Sequence, residues 1–234
     1  MSRSRHDISV TKRARRVYLL GSLLFSLVSP AVAQSMARQM EQVGLIDVHT
    51  EVPAIVVDLM YARADNFVGE PLYPPDFRSA YLLPHMVRKL ARAQEILRRE
   101  LGPQYRLIIY DAARPLSVQH RMFQKVSGTP HAAYVSSGRS GRGRHNYGAA
   151  VDLSIIDIYS GTPLDMGSPV DHFGVEAHLT AGPKTIGATA YRNRQYLIAL
   201  MAQVGLRPIK KEWWHFQEPE SIDEVRRKYI LLDF

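Results

Sequence analysis

The sequence contains no cysteine among its 234 residues. Disulfide bonds, thiolate metal ligands, cysteine nucleophiles and lipid attachment through an N-terminal cysteine are therefore excluded. A metal ion could be held only by His, Asp or Glu side chains. Hydrophobic residues make up 46% and charged residues 22% of the chain, which are ordinary values for a globular protein and argue against disorder over its whole length.

The N-terminal apolar run is short for a membrane span, which needs about 20 residues. This run, VYLLGSLLFSLV, has twelve residues and follows the basic leader MSRSRHDISVTKRARR. Ala31 and Ala33 come next, at the positions that a signal peptidase reads. We therefore expect residues 1–33 to be a secretory signal, cleaved near Ala33, and residues 34–234 to be one periplasmic or secreted domain. The alternative is an uncleaved N-terminal membrane anchor, because the basic leader is long.

An excess of positive charge is nearly absent once the leader is set aside. The whole chain has 30 Lys and Arg against 22 Asp and Glu, but the leader holds six of the former and one of the latter. The remainder carries 24 − 21 = +3. This balance argues against nucleic acid as a partner. No stable membrane partner is expected if the signal is cleaved.

Hydrophobic periodicity, punctuated by Pro and Gly, predicts alternating strands and helices. No repeat or linker divides residues 34–234, so we expect a single α+β domain with a small, mainly antiparallel central sheet flanked by helices. A Gly/Ser/Arg stretch at 127–144 is interpreted as a solvated mobile loop, with anion binding by Arg139, Arg142 and Arg144 as the alternative. The predicted strands are 54–62, 105–112, 148–157 and a last one at EWWHF, and the predicted helices are 84–101, 115–126 and 188–205.

The stretch HNYGAAVDLSI places a histidine before a predicted strand and an aspartate within it. Alternation along the strand puts Asp152 on the face opposite Val151 and Leu153. A carboxylate inside an apolar strand costs several kcal/mol unless its charge is compensated. Gly148 allows a tight turn that could bring His145 back towards Asp152. This stretch alone fits a metal site and an Asp–Arg pair equally well.

The stretch EWWHF carries a carboxylate and an imidazole three residues apart, at Glu212 and His215. If His215 were a third ligand beside His145 and Asp152, the set would suit one Zn²⁺ with an open position for water, and Glu212 would be the base. Residues three apart point to opposite faces of a regular strand, so Glu212 must lie at the strand's start or the strand must bulge. The alternative is a core strand with two buried tryptophans.

The stretch YDAARP places Arg114 directly after a predicted strand. An arginine in such a loop could hold a developing oxyanion or a substrate carboxylate through paired hydrogen bonds. Alone, it could equally be a surface salt-bridge partner.

Taken together, these motifs resemble those of the VanX-type zinc D-alanyl-D-alanine dipeptidases. The resemblance rests on H-x-x-G-x-A-x-D at 145–152, E-x-W-H at 212–215 and D-x-x-R-P at 111–115, and on DLMYARADNFVG and LDMGSPVD. It covers about residues 55–217 of the sequence. Gly143 departs from the motif, which usually has Ser there.

The resemblance implies a zinc enzyme that hydrolyses a small D,D-dipeptide or a peptidoglycan-derived peptide, with its metal at the sheet. It implies His145, Asp152 and His215 as ligands of one Zn²⁺. It implies Glu212 as general base and Arg114 as the group that polarises the scissile carbonyl, and it places Asp171 at the substrate's amino end, where Tyr61 or Tyr73 could line the same pocket.

Two other functions stay open at this point. One is a D,D-carboxypeptidase or endopeptidase that uses the same residues on longer peptidoglycan stem peptides. The other is a non-catalytic cell-wall binding module with a structural zinc, although a structural site normally has a fourth protein ligand.

Overall fold

The computed structural model describes residues 35–139, 141 and 143–234, which form one compact unit. The predicted secretory signal therefore lies outside the described residues. No helix in the described part of the chain is both long enough and apolar enough to cross a bilayer.

Helices and short strands alternate along the chain. The α-helices are α1 Met36–Gln42, α2 Val48–Glu51, α3 Pro84–Leu101, α4 Leu116–Val126, α5 Pro183–Ile186, α6 Ala188–Gln203 and α7 Ile222–Lys228. The strands are β1 Ile46–Asp47, β2 Val56–Val57, β3 Tyr81–Leu82, β4 Tyr105–Asp111, β5 Ala150–Asp157, β6 Thr162–Pro163, β7 Arg207–Ile209 and β8 Glu212–Gln217. Short 3₁₀ turns cover Met60–Ala62, Pro130–Ala133, Arg144–Tyr147 and Val175–Ala177.

A six-stranded sheet forms the centre, in the order β2-β4-β5-β8-β7, with β6 paired to the end of β5. Only the pairing of β2 with β4 is parallel, and the others are antiparallel. A separate two-stranded sheet joins β1 and β3. The expected α+β domain with a mainly antiparallel central sheet is therefore confirmed.

The core lies where α3 covers β4, with α6 packed on α3. Alternate residues of β5 face it, and Leu153 and Ile155 are fully buried. α3 begins at Pro84, whose missing N–H costs nothing at a helix start, and ends at Gly102, whose φ of 113° few other residues adopt. These punctuating residues explain why the predicted bounds of this helix, 84–101, are those observed.

The predicted strand at 54–62 is only partly correct. Two residues, Val56 and Val57, pair with β4, and the chain then leaves the sheet. Residues Met60–Ala62 form a 3₁₀ turn that buries Tyr61. The β-branched residues favour an extended chain locally, but the tertiary packing of Tyr61 determines the conformation here.

Candidate active site

Two neighbouring strands bring a carboxylate and an imidazole side by side. Asp152 in β5 and His215 in β8 are direct partners in the antiparallel register, so their side chains share one face of the sheet. His215 Nδ1 lies 3.0 Å from Asp152 Oδ1. Both residues are buried. The pairing of β5 with β8 therefore brings together two of the three residues of a candidate metal site.

The third residue of the cluster, His145, lies in the 3₁₀ turn that precedes β5. This turn ends at Gly148, whose φ of 67° is left-handed, and a Cβ at this position would come 2.8 Å from the Leu45 side chain. The Gly148 N–H donates to the carbonyl of His145 and closes the turn. His145 Nε2 then lies 3.4 Å from Asp152 Oδ1 and 3.1 Å from His215 Nδ1. The structure thus brings the three residues together as the sequence led us to expect.

Each imidazole has one ring nitrogen that faces the cluster and one that faces away from it. The hydrogen bond of the nitrogen that faces away determines which tautomer the ring adopts. His145 Nδ1 lies 2.7 Å from the Ala112 carbonyl, and His215 Nε2 lies 3.1 Å from Gln217 Oε1. Both oxygens accept hydrogen bonds, so each is a partner for the N–H of a neutral ring whose other nitrogen binds a metal. In that tautomer His145 Nε2 and His215 Nδ1 are the unprotonated nitrogens, and they face each other and the Asp152 carboxylate.

This arrangement fits a zinc ion. A tetrahedral zinc with ligands at about 2.0–2.2 Å separates its ligand atoms by about 3.3–3.6 Å. The three separations here, 3.0, 3.1 and 3.4 Å, lie in or just below this range. Neutral imidazole with a fixed tautomer and an ionised carboxylate are the donors that zinc takes in catalytic sites. Among the described residues, this is the cluster of His, Asp and Glu that could hold a metal ion.

The electrostatics of the cluster also favour a cation. Burial works to raise the pKa of Asp152, but His145 and His215 hold that pKa well below its usual range. Burial works to lower the pKa of His145, and the neighbouring Asp152 and Asp111 carboxylates more than offset this, so the pKa rises. A positive charge is therefore stabilised at the centre of the cluster.

Glu212 stands beside the cluster because β8 is irregular. It is the first residue of β8, and the register between β7 and β8 shifts between Pro208 and Ile209. Glu212 Oε2 consequently lies 3.8 Å from His215 Nδ1. Both solutions that the sequence left open, a position at the strand's start and a bulge, are present. Burial raises the pKa of Glu212 to about 7, a suitable value for a group that takes and returns a proton.

Arg114 is buried behind the cluster and held in place by several contacts. Its Nη1 donates to Asp111 Oδ2 at 2.6 Å and its Nε donates to Gln119 Oε1 at 3.1 Å. Its carbonyl accepts from Asn146 Nδ2 at 2.7 Å. Burial works to lower the pKa of Arg114, but Asp111, together with Tyr61, Tyr73 and Asp152, outweighs it and the pKa is raised. The Nη2 group has no hydrogen-bond partner among the described residues and remains available to a ligand.

Two of the three predicted substrate-binding residues meet in the cavity. The Tyr61 hydroxyl donates to Asp171 Oδ2 at 2.5 Å. Burial raises the pKa of Asp171 to about 7. Asp171 also has a left-handed backbone with a φ of 60°, a strained conformation that is typical of functional sites for a residue other than glycine.

Tyr73 is placed differently from what we expected. It is absent from the described lining of the cavity. Its ring stacks on Phe77 and its hydroxyl donates to Asp111 Oδ1 at 3.2 Å. It thus supports Arg114 through Asp111 rather than lining the pocket.

The sequence reasoning missed other residues of the site. Gln217 follows His215 by two positions, so it shares the same strand face, and that spacing was the available signal. The stretch 127–144 was interpreted as a solvated loop, yet Tyr134, Ser136, Gly143 and Arg144 line the cavity. Phe67, Phe173 and Trp214 contribute apolar surface that no motif indicated.

Replacing Gln217 with leucine should weaken zinc binding, because His215 Nε2 would lose the acceptor that fixes its tautomer. Loss of such a partner typically costs 10–100-fold in metal affinity. Competition with a chromophoric chelator measures the dissociation constant. The matched control is Gln203→Leu, at an exposed position in the last turn of α6. Equal affinities of the two variants would contradict the assignment of Nδ1 as the inward nitrogen.

The sequence of this chain is similar to that of a known family. Residues 41–232 match the family model described as D-ala-D-ala dipeptidase. The D-alanyl-D-alanine dipeptidase of Escherichia coli is 33% identical over 76% of this chain and 86% of its own length. The D-alanyl-D-alanine dipeptidase of Enterococcus faecalis is 27% identical over 68% and 84%, and that of Enterococcus faecium is 24% identical over 75% and 91%.

Among solved structures, a variant of the vancomycin-resistance D,D-pentapeptidase VanY in complex with Zn(II) aligns with a TM-score of 0.36 and 13% sequence identity. The alignment covers 63% of this chain and 78% of that chain. The family match spans most of the residues whose structure is described above. The chain belongs to the D-ala-D-ala dipeptidase family.

Proposed function

We propose that this protein is a zinc metallopeptidase that hydrolyses D-alanyl-D-alanine to two D-alanines and acts in cell-wall peptide turnover, after export directed by residues 1–33. The observation that carries the proposal is the buried His145–Asp152–His215 cluster, in which each imidazole turns one ring nitrogen inward and has an acceptor for the N–H of the other. The names of the relatives supply the substrate, and the geometry of this chain supplies the chemistry.

His145, Asp152 and His215 would hold the zinc through Nε2, Oδ1 and Nδ1. Bound in this way, the ion would polarise the scissile carbonyl and lower the pKa of a water to about 7. The three residues supply three ligands, which is the number that a catalytic site keeps and one fewer than a structural site takes. This count favours an enzyme over a binding module with a structural zinc.

Glu212 is placed to act as general base and then as general acid. Its carboxylate lies next to His215 and lines the same cavity as the cluster. It would take a proton from the attacking water and return one to the leaving amine. Its pKa of about 7 makes both transfers accessible near neutral pH.

Arg114 is placed to stabilise the oxyanion that forms as the carbonyl is attacked. The contacts of its Nη1 and Nε hold the guanidinium rigid, so the Nη2 N–H groups are preorganised for a negative charge. Because burial and the Asp111 carboxylate fix its position, little reorganisation is required during the reaction.

Asp171 and Tyr61 would bind the amino group at the substrate's N-terminus. An ammonium group brought to Asp171 compensates a carboxylate that burial otherwise destabilises. The Tyr61 hydroxyl already holds that carboxylate in place. Recognition of a free amine next to the scissile bond restricts cleavage to a position one residue from the N-terminus.

The direct test is release of D-alanine from D-Ala-D-Ala by the zinc-loaded protein, compared with release from a stem pentapeptide. We expect turnover of the dipeptide and little or none of the pentapeptide. Preferred cleavage of the pentapeptide would show a D,D-carboxypeptidase or endopeptidase instead. Binding of either peptide without cleavage would show a binding module.

Replacement of Glu212 with glutamine should leave zinc in place and remove most of the activity. Glutamine keeps the size of the side chain but cannot accept the proton, and general acid–base catalysis is typically worth 10²–10⁴-fold. Turnover and zinc content are measured on the same preparations. An unchanged turnover number would exclude Glu212 as the base, and loss of zinc would show that it is a ligand.

A further inference from the structure

Asp171 lies in a loop, residues 166–178, whose centre has no backbone anchor in the described part of the chain. Among the described residues, no backbone group of residues 169–173 forms a hydrogen bond. Asp171 nevertheless holds a left-handed backbone with a φ of 60°, and such a conformation persists only where the surroundings hold it in place. Apart from the bond between Tyr61 and Asp171, the restraint on this segment therefore comes from its two flanks.

One buried side chain, Arg194 of α6, holds both flanks of the Asp171 loop. Before Asp171, its Nε donates to the Met166 carbonyl at 2.5 Å and its Nη2 donates to Ser168 Oγ at 3.1 Å. After Asp171, its Nη1 donates to the His178 carbonyl at 3.3 Å. All three nitrogens of one guanidinium are thus used to hold the loop, and the guanidinium extends from a helix of the core.

The same guanidinium connects the Asp171 loop to the strand that carries the proposed base. The Arg194 Cζ atom lies 5.3 Å from the centre of the Trp213 ring, and the Trp213 indole N–H donates to Ser168 Oγ at 3.1 Å. Trp213 directly follows Glu212 in β8 and precedes His215 by two positions. The contacts among Arg194, Ser168 and Trp213 therefore fix the loop against the strand that carries the base and one proposed zinc ligand.

The contacts of Arg194 depend on the shape of its side chain as well as on its charge. Among the described residues, its hydrogen-bond acceptors are two carbonyls and one hydroxyl, and none is a carboxylate. Burial lowers the pKa of Arg194 to about 10, and the Asp165 carboxylate offsets this only in part. A planar guanidinium directs its donors in fixed directions, whereas the ammonium of a lysine is a single point of charge. A lysine here would keep the charge without joining the two flanks.

We propose that Arg194 is a positioning residue that holds Asp171 at the place where it binds the substrate's amino group. This inference rests on the proposed function and concerns its selectivity for a free amine one residue from the scissile bond. Arg194 and Ser168 are absent from the described lining of the cavity, so their effect on recognition passes through the loop. A hydrogen bond between an ammonium and a carboxylate weakens as its geometry departs from the optimum.

The experiment compares D-Ala-D-Ala with D-lactyl-D-alanine, in which a hydroxyl replaces the amino group and removes its charge. The unmodified protein should favour D-Ala-D-Ala about 10- to 100-fold in kcat/KM, the contribution expected of a hydrogen bond to a charged group. In Arg194→Lys this preference should fall about 10-fold, because the fork of donors is lost. The kcat/KM for D-lactyl-D-alanine should stay nearly constant. A structural role alone would lower both values equally, and that result would overturn the inference, as would an unchanged preference.

Two other variants complete the comparison. Arg192→Lys is the matched control, because Arg192 is an exposed arginine of the same helix that bonds to Thr189, and it should keep the full preference. Ser168→Ala removes the hydroxyl between Arg194 and Trp213 without altering a buried charge. It should lower the preference about 3- to 10-fold, as expected for neutral hydrogen bonds. This variant provides the same test if Arg194→Lys does not fold, and an unchanged preference in it would count against the inference.

A double-mutant cycle shows whether Arg194 acts through Asp171. Asp171→Asn removes the carboxylate charge and should itself abolish most of the preference for D-Ala-D-Ala. If Arg194 acts by positioning that carboxylate, adding Arg194→Lys to Asp171→Asn should lower the preference no further. A second loss as large as that of Arg194→Lys alone would show an independent effect and overturn the inference.

A binding measurement separates this inference from the proposed function. Calorimetry with zinc-loaded Glu212→Gln, which should not cleave, gives dissociation constants for D-Ala-D-Ala and D-lactyl-D-alanine. We expect tighter binding of D-Ala-D-Ala by about 10-fold or more, reduced when Arg194→Lys is added. Absence of that preference, or its persistence in the double variant, overturns the inference even if the protein is a dipeptidase. The expected result without any turnover by the unmodified protein would retain the inference and remove the proposed activity.

Discussion

The site depends on the convergence of three electron-pair donors in a buried space. His145 Nε2, His215 Nδ1 and Asp152 Oδ1 lie within 3.4 Å of one another. Such a cluster is costly without a positive charge at its centre. A divalent cation provides that charge with the required geometry. The elements around the cluster are arranged to keep these donors facing each other.

Three features of the backbone maintain this arrangement. The pairing of β5 with β8 sets Asp152 opposite His215, and the left-handed Gly148 returns His145 to the same place. The irregular start of β8 brings Glu212 round to the same side. Each feature positions a side chain through main-chain geometry, which is more rigid than a loop. The acceptors Ala112 and Gln217 then fix the imidazole tautomers.

The parts of this site that could be predicted from sequence are those with local causes. Helix α3 was bounded by Pro84 and Gly102, and the costly Asp152 in an apolar strand indicated a compensating cation. The spacing of Glu212 and His215 posed a problem that only a strand start or a bulge could solve. The positions of Asp171 and Tyr61 followed from the resemblance, because no local pattern links residues 110 positions apart.

What the sequence left undetermined depends on tertiary packing. Tyr73 could not be told from Tyr61 as a pocket residue, because the turn that buries Tyr61 forms only against the rest of the fold. Arg144 was one of several arginines in a glycine-rich stretch and looked solvated. Arg144 lines the cavity, and its side chain contacts the Glu220 carbonyl, 76 positions along the chain. The local sequence contains no sign of that contact.

The most direct test of the account is an anomalous difference map at the zinc absorption edge, from crystals of the zinc-loaded protein. We predict one peak about 2.0–2.2 Å from His145 Nε2, His215 Nδ1 and an Asp152 carboxylate oxygen. Gln217 should remain hydrogen-bonded to His215 Nε2. A peak bound through His215 Nε2, or no peak at these three residues, would contradict the account.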